Sequence, residues 1–156
     1  MDDTKFAPVS DDAGDTKIDK VPGLSGAAAK IVFVNGRLRM DLSKLDDLPD
    51  GVRFASLESM LAEDPAWLEA NMGKVAGDTP VRAGETGEQA MLALNEAMMD
   101  SGFILHVAKG VALSAPVEVV YIGGLTDDAV AYFPRNLIVL EENAQATLVK
   151  QHIGHG

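Results

Sequence analysis

The sequence predicts a mainly β chain with flanking helices, and three observations carry that prediction. From Phe103 onward, short β-rich runs alternate with turn-forming residues. Asn35-Gly36 lies between two further β-rich runs, the strongest short hairpin signal. Residues 86–102 carry apolar side chains at a helical period. The order of these signals divides the chain into an acidic leader (1–25), an α+β N-terminal segment (26–85), and a helix with the first coils of a β structure (86–156).

In the leader, Asp2, Asp3, Asp11, Asp12, Asp15 and Asp19 alternate with small residues, Pro8, Pro22 and Gly23. Such a composition buries too little apolar surface to offset ordering entropy, so disorder is expected. Residues 30–34 and 37–41 follow as the arms of the hairpin, with both central turn residues expected at positive φ. Alternation places Arg37 and Arg39 on one face and Leu38 and Met40 on the other. Leu42, Leu45 and Leu48 sit in an acidic stretch that ends at the turn Pro49-Asp50-Gly51.

Val52-Arg53-Phe54 reads as a short strand. Ser56 is placed to cap a helix over 57–63, with Leu57, Met60 and Leu61 on one face. Asp64-Pro65 restarts a helix, with the acid at the cap and proline where its missing N–H costs nothing. Gly73 closes it, and 74–85 reads as a loop. Thr86 and Gln89 have capping-box spacing. Ala90, Met91, Leu94, Ala97 and Met98 form the apolar stripe, in which the methionines are core filler rather than metal ligands. Gly102 stands at the stop.

Beyond it, Phe103–Val107, Val111–Leu113, Val117–Ile122, Ala129–Phe133, Leu137–Leu140 and Ala146–Val149 are the expected strands. A sandwich, a barrel and a coiled β-helix all fit this spacing. The unbroken run Leu137-Ile138-Val139-Leu140 predicts cover on both faces. The lack of Asn-Gly or Asp-Gly in this part leans toward a solenoid, whose corners do not pair neighbours antiparallel. The sequence ends at His155-Gly156 with no capping helix, so it reads as a coil cut short, expected to self-associate through an exposed sheet edge.

Composition narrows function. With 13 Lys+Arg against 24 Asp+Glu, the net charge of −11 argues against nucleic acid and anionic membrane surfaces. No run approaches the roughly 20 apolar residues of a membrane span, and no apolar stretch follows the acidic N-terminus, so the expectation is a cytoplasmic protein. The absence of cysteine removes disulfides, thiolate nucleophiles and Cys-ligated metals from this chain. Aromatic content of 5% leaves few rings for stacking on sugars or bases.

The chemistry-bearing residues read as structural. His152 and His155 have i, i+3 spacing, but Gly154 and Gly156 oppose a helix and no cysteine or carboxylate pair adjoins them, so they read as exposed or terminal histidines rather than a metal site. His106, between Leu105 and Val107, reads as a hydrogen-bonded strand histidine. Glu141-Glu142 and Asp127-Asp128 read as solvated turns; adjacent residues of an extended chain point apart and make a poor acid–base pair. Arg135 reads as a turn anchor. Neither a phosphate-binding Gly-x-x-x-x-Gly-Lys loop nor a Gly-x-Ser-x-Gly elbow occurs. No catalytic, cofactor-binding or metal residue is assigned, and no enzyme activity is expected.

Several blocks resemble one family. Leu94-Asn95-Glu96-Ala97, Asp100-Ser101-Gly102, Ile104, His106-Val107, Lys109-Gly110-Val111 and Pro116-Val117 follow in a familiar order. Pro134-Arg135-Asn136-Leu137-Ile138-Val139-Leu140-Glu141-Glu142-Asn143-Ala144, then Ala146–Val149, is the most specific stretch. Over about residues 28–156 the chain resembles the SufB/SufD family of iron–sulfur cluster assembly proteins. Ile31–Arg37 and Asp41-Leu42-Ser43 look like its SufD side. The resemblance implies a right-handed parallel β-helix flanked by helical segments. It implies SufB-type and SufC-type partner subunits, with the iron–sulfur cluster held by the assembled complex and no cofactor bound by this chain. It also implies a non-catalytic role in assembly and iron delivery. Family members are much longer, and Asp100-Ser101-Gly102 replaces the more usual Asp-Gly. Two rival readings are a β-helix enzyme acting on polysaccharides, which requires two carboxyl groups at a set separation, and a self-assembling structural solenoid.

Overall fold

A computed structural model of the chain describes residues 7–8, 18, 21–72, 94–95, 97–99, 101–124 and 130–154. In chain order the elements are β1 (Ala7–Pro8), β2 (Ala29–Val34), β3 (Arg37–Leu38), β4 (Val52–Ser56), α1 (Leu57–Glu63), α2 (Pro65–Asn71), β5 (Phe103–Val107), β6 (Val117–Gly123), β7 (Val130–Ala131), β8 (Leu137–Leu140) and β9 (Leu148–Gly154).

The β2–β3 hairpin turns at Asn35 (φ 45°) and Gly36 (φ 82°), pairing Val34 with Arg37 and Phe33 with Leu38. Both central residues lie at the positive φ that a type I′ turn requires. The second arm is shorter than the expected Arg37–Asp41. The chain turns through 40–42, Arg39 binds Asp41 at 2.7 Å, and Met40 is left 54% exposed rather than opposite the core with Leu38.

Among the described residues three sheets result. Their strand orders are β3-β2-β6-β9, β4-β5-β8 and the small pair β1-β7. In the first, β2, β6 and β9 run parallel, with Ile31 beside Val119 and Val119 beside Lys150. In the second, β4 is antiparallel to β5, and β5 is parallel to β8. From Ser101 onward the chain stacks on itself at a nearly constant offset. Ser101 bridges Pro134, Ile104 pairs with Leu137, and Ala112 bridges Gln145, each 33 residues on (101 to 134, 104 to 137, 112 to 145). Val117 pairs with Leu148, 31 residues on (117 to 148).

The main core lies between the two larger sheets. Ala29, Ile31, Phe33, Val117, Val119 and Tyr121 from one face Phe103, Leu105 and Val107 from the other, with Leu45, Leu48, Val52 and Phe54 closing one side. Each large side chain fully buried there contributes about 1.5–3 kcal/mol. The opposite face of β2 and β6 is apolar too. Val32, Val34, Val120 and Ile122 are covered by Ile18, Val21, Leu42 and Ile153. Ile18 and Val21 belong to the stretch expected to be a leader; the rest of that stretch, apart from 7–8 and 22–25, lies outside the described residues.

The helices start where the caps predict. Ser56 accepts from the Ser59 N–H at the head of α1, and Asp64 accepts from Trp67 N–H at the head of α2, with Pro65 in its first turn. Leu57, Met60 and Leu68 pack on Ile104. Leu61, expected on the same face, is 50% exposed, because this short helix meets the sheet along Leu57 and Met60 only. Gly73, the 74–85 loop and most of the 86–102 helix lie outside the described residues. Residues 94–95 and 97–98 are helical, and Leu94 and Met98 are exposed (39% and 49%) rather than core filler.

Strand bounds are met at Phe103–Val107 and Leu137–Leu140. Val111–Leu113 is reduced to one bridge at Ala112, and Ala129–Phe133 to Val130–Ala131. The last strand starts later and runs to Gly154. Leu137–Leu140 is not covered on both faces: Ile138 and Leu140 are 39% and 46% exposed, since β8 is the outermost strand of its sheet among the described residues. The doubly covered strands are β2 and β6, the latter buried from Val117 to Ile122. Among the described residues no helix is long and apolar enough to cross a membrane.

Candidate functional site

The outer face of the β4-β5-β8 sheet gathers a compact group of ionisable side chains. Register places Arg53 beside His106 and His106 beside Val139. The Trp67 ring, carried by α2, meets the His106 imidazole edge-on at 5.7 Å. His106 Nε2 stands 2.8 Å from Glu141 Oε1, while Glu141 Oε2 accepts the Lys109 N–H at 2.8 Å. The Lys109 ammonium binds the Glu142 carboxylate. Two backbone bonds run alongside, Gly110 N–H to Glu142 O and Glu141 N–H to Val107 O, both 3.0 Å.

These contacts join the turn after β5 to the turn after β8. Both carboxylates are occupied in that joint and lead to different partners, which is the wrong arrangement for an acid–base pair. Glu141-Glu142 is therefore an exposed turn, as the sequence suggests, with a clamping role that adjacency alone did not reveal. His106 is the strand histidine expected, and its partner lies 35 residues away.

The Lys109 N–H, then the His106 imidazole, hold the Glu141 carboxyl below its ordinary value of 4.5. A carboxyl depressed on folding contributes stability above its unfolded pKa and loses it as pH falls through the folded one. Acidification from about pH 5 to pH 3 is thus expected to lower the urea midpoint more in the natural chain than in Glu141→Gln. Equal slopes in the two proteins would show that this clamp adds nothing.

Register aligns Phe33, Tyr121 and His152 on successive parallel strands, from the core at Phe33 and Tyr121 to an exposed His152. Phe33 stacks on Tyr121 and Tyr121 on His152, each at 4.9 Å. His152 is thus a strand residue on an aromatic ladder; His155 lies outside the described residues, as do Asp127 and Asp128. The Tyr121 hydroxyl accepts from the Asn136 amide, and Asn136 Oδ1 accepts from Phe103 N–H at 3.3 Å. Burial pushes the Tyr121 phenol above its ordinary range, so it stays neutral at neutral pH. Arg135 reaches Asn95 Oδ1 at 3.0 Å, and its own N–H binds Ser101 O at 2.8 Å. The Pro-Arg-Asn block thus ties the chain before β8 back to the start of β5.

One residue escaped the sequence reading. Glu118 on β6 is fully buried on the outer face of its sheet. Its Oε1 accepts from Leu24 N–H (2.9 Å) and the Gln151 amide (2.8 Å), while Oε2 faces the Lys30 ammonium at 3.9 Å. The available signal was an acid inside an otherwise unbroken apolar run. Among the described residues no group of three or more His, Asp or Glu is placed to hold a metal ion. The polar groups described here join strands, turns and segments to one another.

Two comparisons bear on this arrangement. The family described as "SufBD protein N-terminal region" matches residues 14–119. Over 124 residues the chain is 23% identical to an "Iron-sulfur cluster assembly SufBD family protein" of Synechocystis sp., a match covering 80% of this chain and 25% of that protein. The chain spans about a quarter of the length of the curated relative it matches.

Proposed function

This chain belongs to the SufBD family, and from that premise we propose that it is a non-catalytic, SufD-type subunit in iron–sulfur cluster assembly. It pairs with a SufB-type subunit and supports SufC-driven cluster building and iron delivery. The observation that carries this reading is the family match across residues 14–119. The wording of the Synechocystis relative's description points the same way. The lack of cysteine is compatible with a subunit whose partner supplies the cluster thiolates.

The same reading takes the strands from Phe103 onward as opening rungs of a right-handed parallel β-helix. Support comes from the near-constant offset of 31 (117 to 148) to 33 (104 to 137) between stacked partners. In a coil each rung buries its faces against the next, and side-chain ladders such as Phe33–Tyr121–His152 follow from that stacking.

The test is co-purification. The protein containing this chain, affinity-tagged and co-expressed with SufB-type and SufC-type subunits of the same genome, is expected to retain both. Retention of neither overturns the assembly role. Retention with unchanged cluster yield on omitting this chain removes the supporting role while leaving the pairing.

A further inference from the structure

Among the described residues β4 is an edge strand of its sheet. Its bonds to β5 run through alternate residues: Ala108 N–H binds Gly51 O (2.8 Å) and Leu57 N–H binds Gly102 O (3.0 Å), in register with Arg53–His106 and Ala55–Ile104. In an antiparallel ladder the intervening residues, Val52, Phe54 and Ser56, turn their peptide groups the other way. Val52 N–H is taken by Pro49 O at 3.1 Å, and Ser56 O by the Ser59 hydroxyl. Among the described residues, the N–H and C=O of Phe54 have no such partner.

A groove of about 480 Å³ lies along this edge. Met40, Leu45 and Leu48 give it apolar lining, and Ser59 and Glu63 of α1 line it too. Met40 is 54% exposed, so the apolar wall is open to a visitor. The loop behind it carries Asp46, Asp47 and Asp50, all exposed. The local cations are already engaged, Lys44 with Asp47 at 2.7 Å and Arg53 with Glu63 at 3.3 Å. Asp46 and Asp50 enter no salt bridge among the described residues, which leaves the rim negative. A charged side chain can blunt an edge strand; here Arg53, which lines the groove, is engaged by Glu63 of α1 at 3.3 Å.

We propose that the β4 edge and its groove form a docking site for an extended, basic segment of a partner protein, added as a further strand. Main-chain bonds to Phe54 supply affinity, and alternate apolar side chains seat against Met40, Leu45 and Leu48. Lysine or arginine at the other positions answers the aspartates of the rim.

The probe is an acetylated hexapeptide alternating valine and lysine, titrated into the isotopically labelled 156-residue chain. Saturable amide shifts centred on Phe54 and Ser56 are expected, with slowed hydrogen exchange at Phe54. N-methylation of the alternate peptide amides that face β4 is expected to weaken binding by about tenfold or more. Asp46→Asn with Asp50→Asn, both exposed, is expected to weaken it about threefold and flatten its salt dependence. Equal binding of the N-methylated peptide, shifts centred on β8 or β9, an unchanged affinity in the double variant, or no binding at millimolar peptide would each overturn the proposal.

Discussion

Gly102→Ala is expected to destabilise the fold by about 4 kcal/mol or more, enough to leave much of the chain unfolded at ambient temperature. A Cβ on Gly102 would stand 1.7 Å from the Arg135 carbonyl oxygen and 2.6 Å from its carbon. Both are backbone atoms, so no rotamer change relieves the clash. The residue also sits at φ +145°, a conformation side chains rarely adopt. The contact is where the chain entering β5 meets the chain entering β8, with Ser101 bridging Pro134 and Arg135 N–H on Ser101 O at 2.8 Å. Pushing these strands apart also strains the Asn136 bonds to Phe103 and Tyr121, and through them the aromatic core. Urea unfolding followed by Trp67 fluorescence measures the effect. Gly110→Ala is the control: it shares a positive φ (74°) but nothing lies within 4 Å of its Cβ position, so it loses only the conformational part, about 1 kcal/mol. A Gly102→Ala loss no larger than that of the control would mean that the backbone approach relaxes freely.

The contrast between these glycines marks what was legible in the sequence. Local chemistry was: Asn35-Gly36 set its own turn, Ser56 and Asp64 their own caps, and β5 and β8 their own bounds. Each depends on residues within a few positions of one another. Gly102 could be read only as a helix stop, because the Arg135 backbone that makes glycine necessary arrives 33 residues later (102 to 135). The same limit applies to faces. Met40, Leu61 and Met98 carry the right period for burial, yet burial needs a partner surface that the pattern does not contain. The sequence marks only Ala146–Val149 as the last strand because Gln151, His152 and Gly154 dilute the apolar signal, whereas pairing with β6 from Val117 to Gly123 defines the length of β9. The His106–Glu141 and Phe33–Tyr121–His152 contacts join residues that share no local motif, so only register could assemble them.

Glu118 is the sharpest case, and its replacement separates stability from docking. Glu118→Ala is expected to destabilise the chain by about 3 kcal/mol. It removes the acceptor of Leu24 N–H and of the Gln151 amide and the counter-charge of Lys30, and it opens a void in a fully buried position. The lower end of the range for broken buried pairs applies, because Lys30 is 24% exposed at 3.9 Å and regains water. Glu118→Leu fills the void but, like alanine, leaves Lys30 without its counter-charge and Leu24 N–H and the Gln151 amide without their acceptor. It is therefore expected to recover only the cavity part of the loss and to unfold between Glu118→Ala and the natural chain. The carboxylate nevertheless does something that leucine cannot, since it holds the Leu24 N–H and, through Lys30 and Pro22 O, orients the segment that lays Val21 over Val32, Val34, Val120 and Ile122. Hydrogen exchange at Leu24 should consequently quicken in Glu118→Leu while exchange at Val119 and Val120 stays slow. Global unfolding and Leu24 exchange moving together would show that the acid serves only the core. Their separation would assign it to fastening the N-terminal segment onto an apolar sheet face that would otherwise lie open to water.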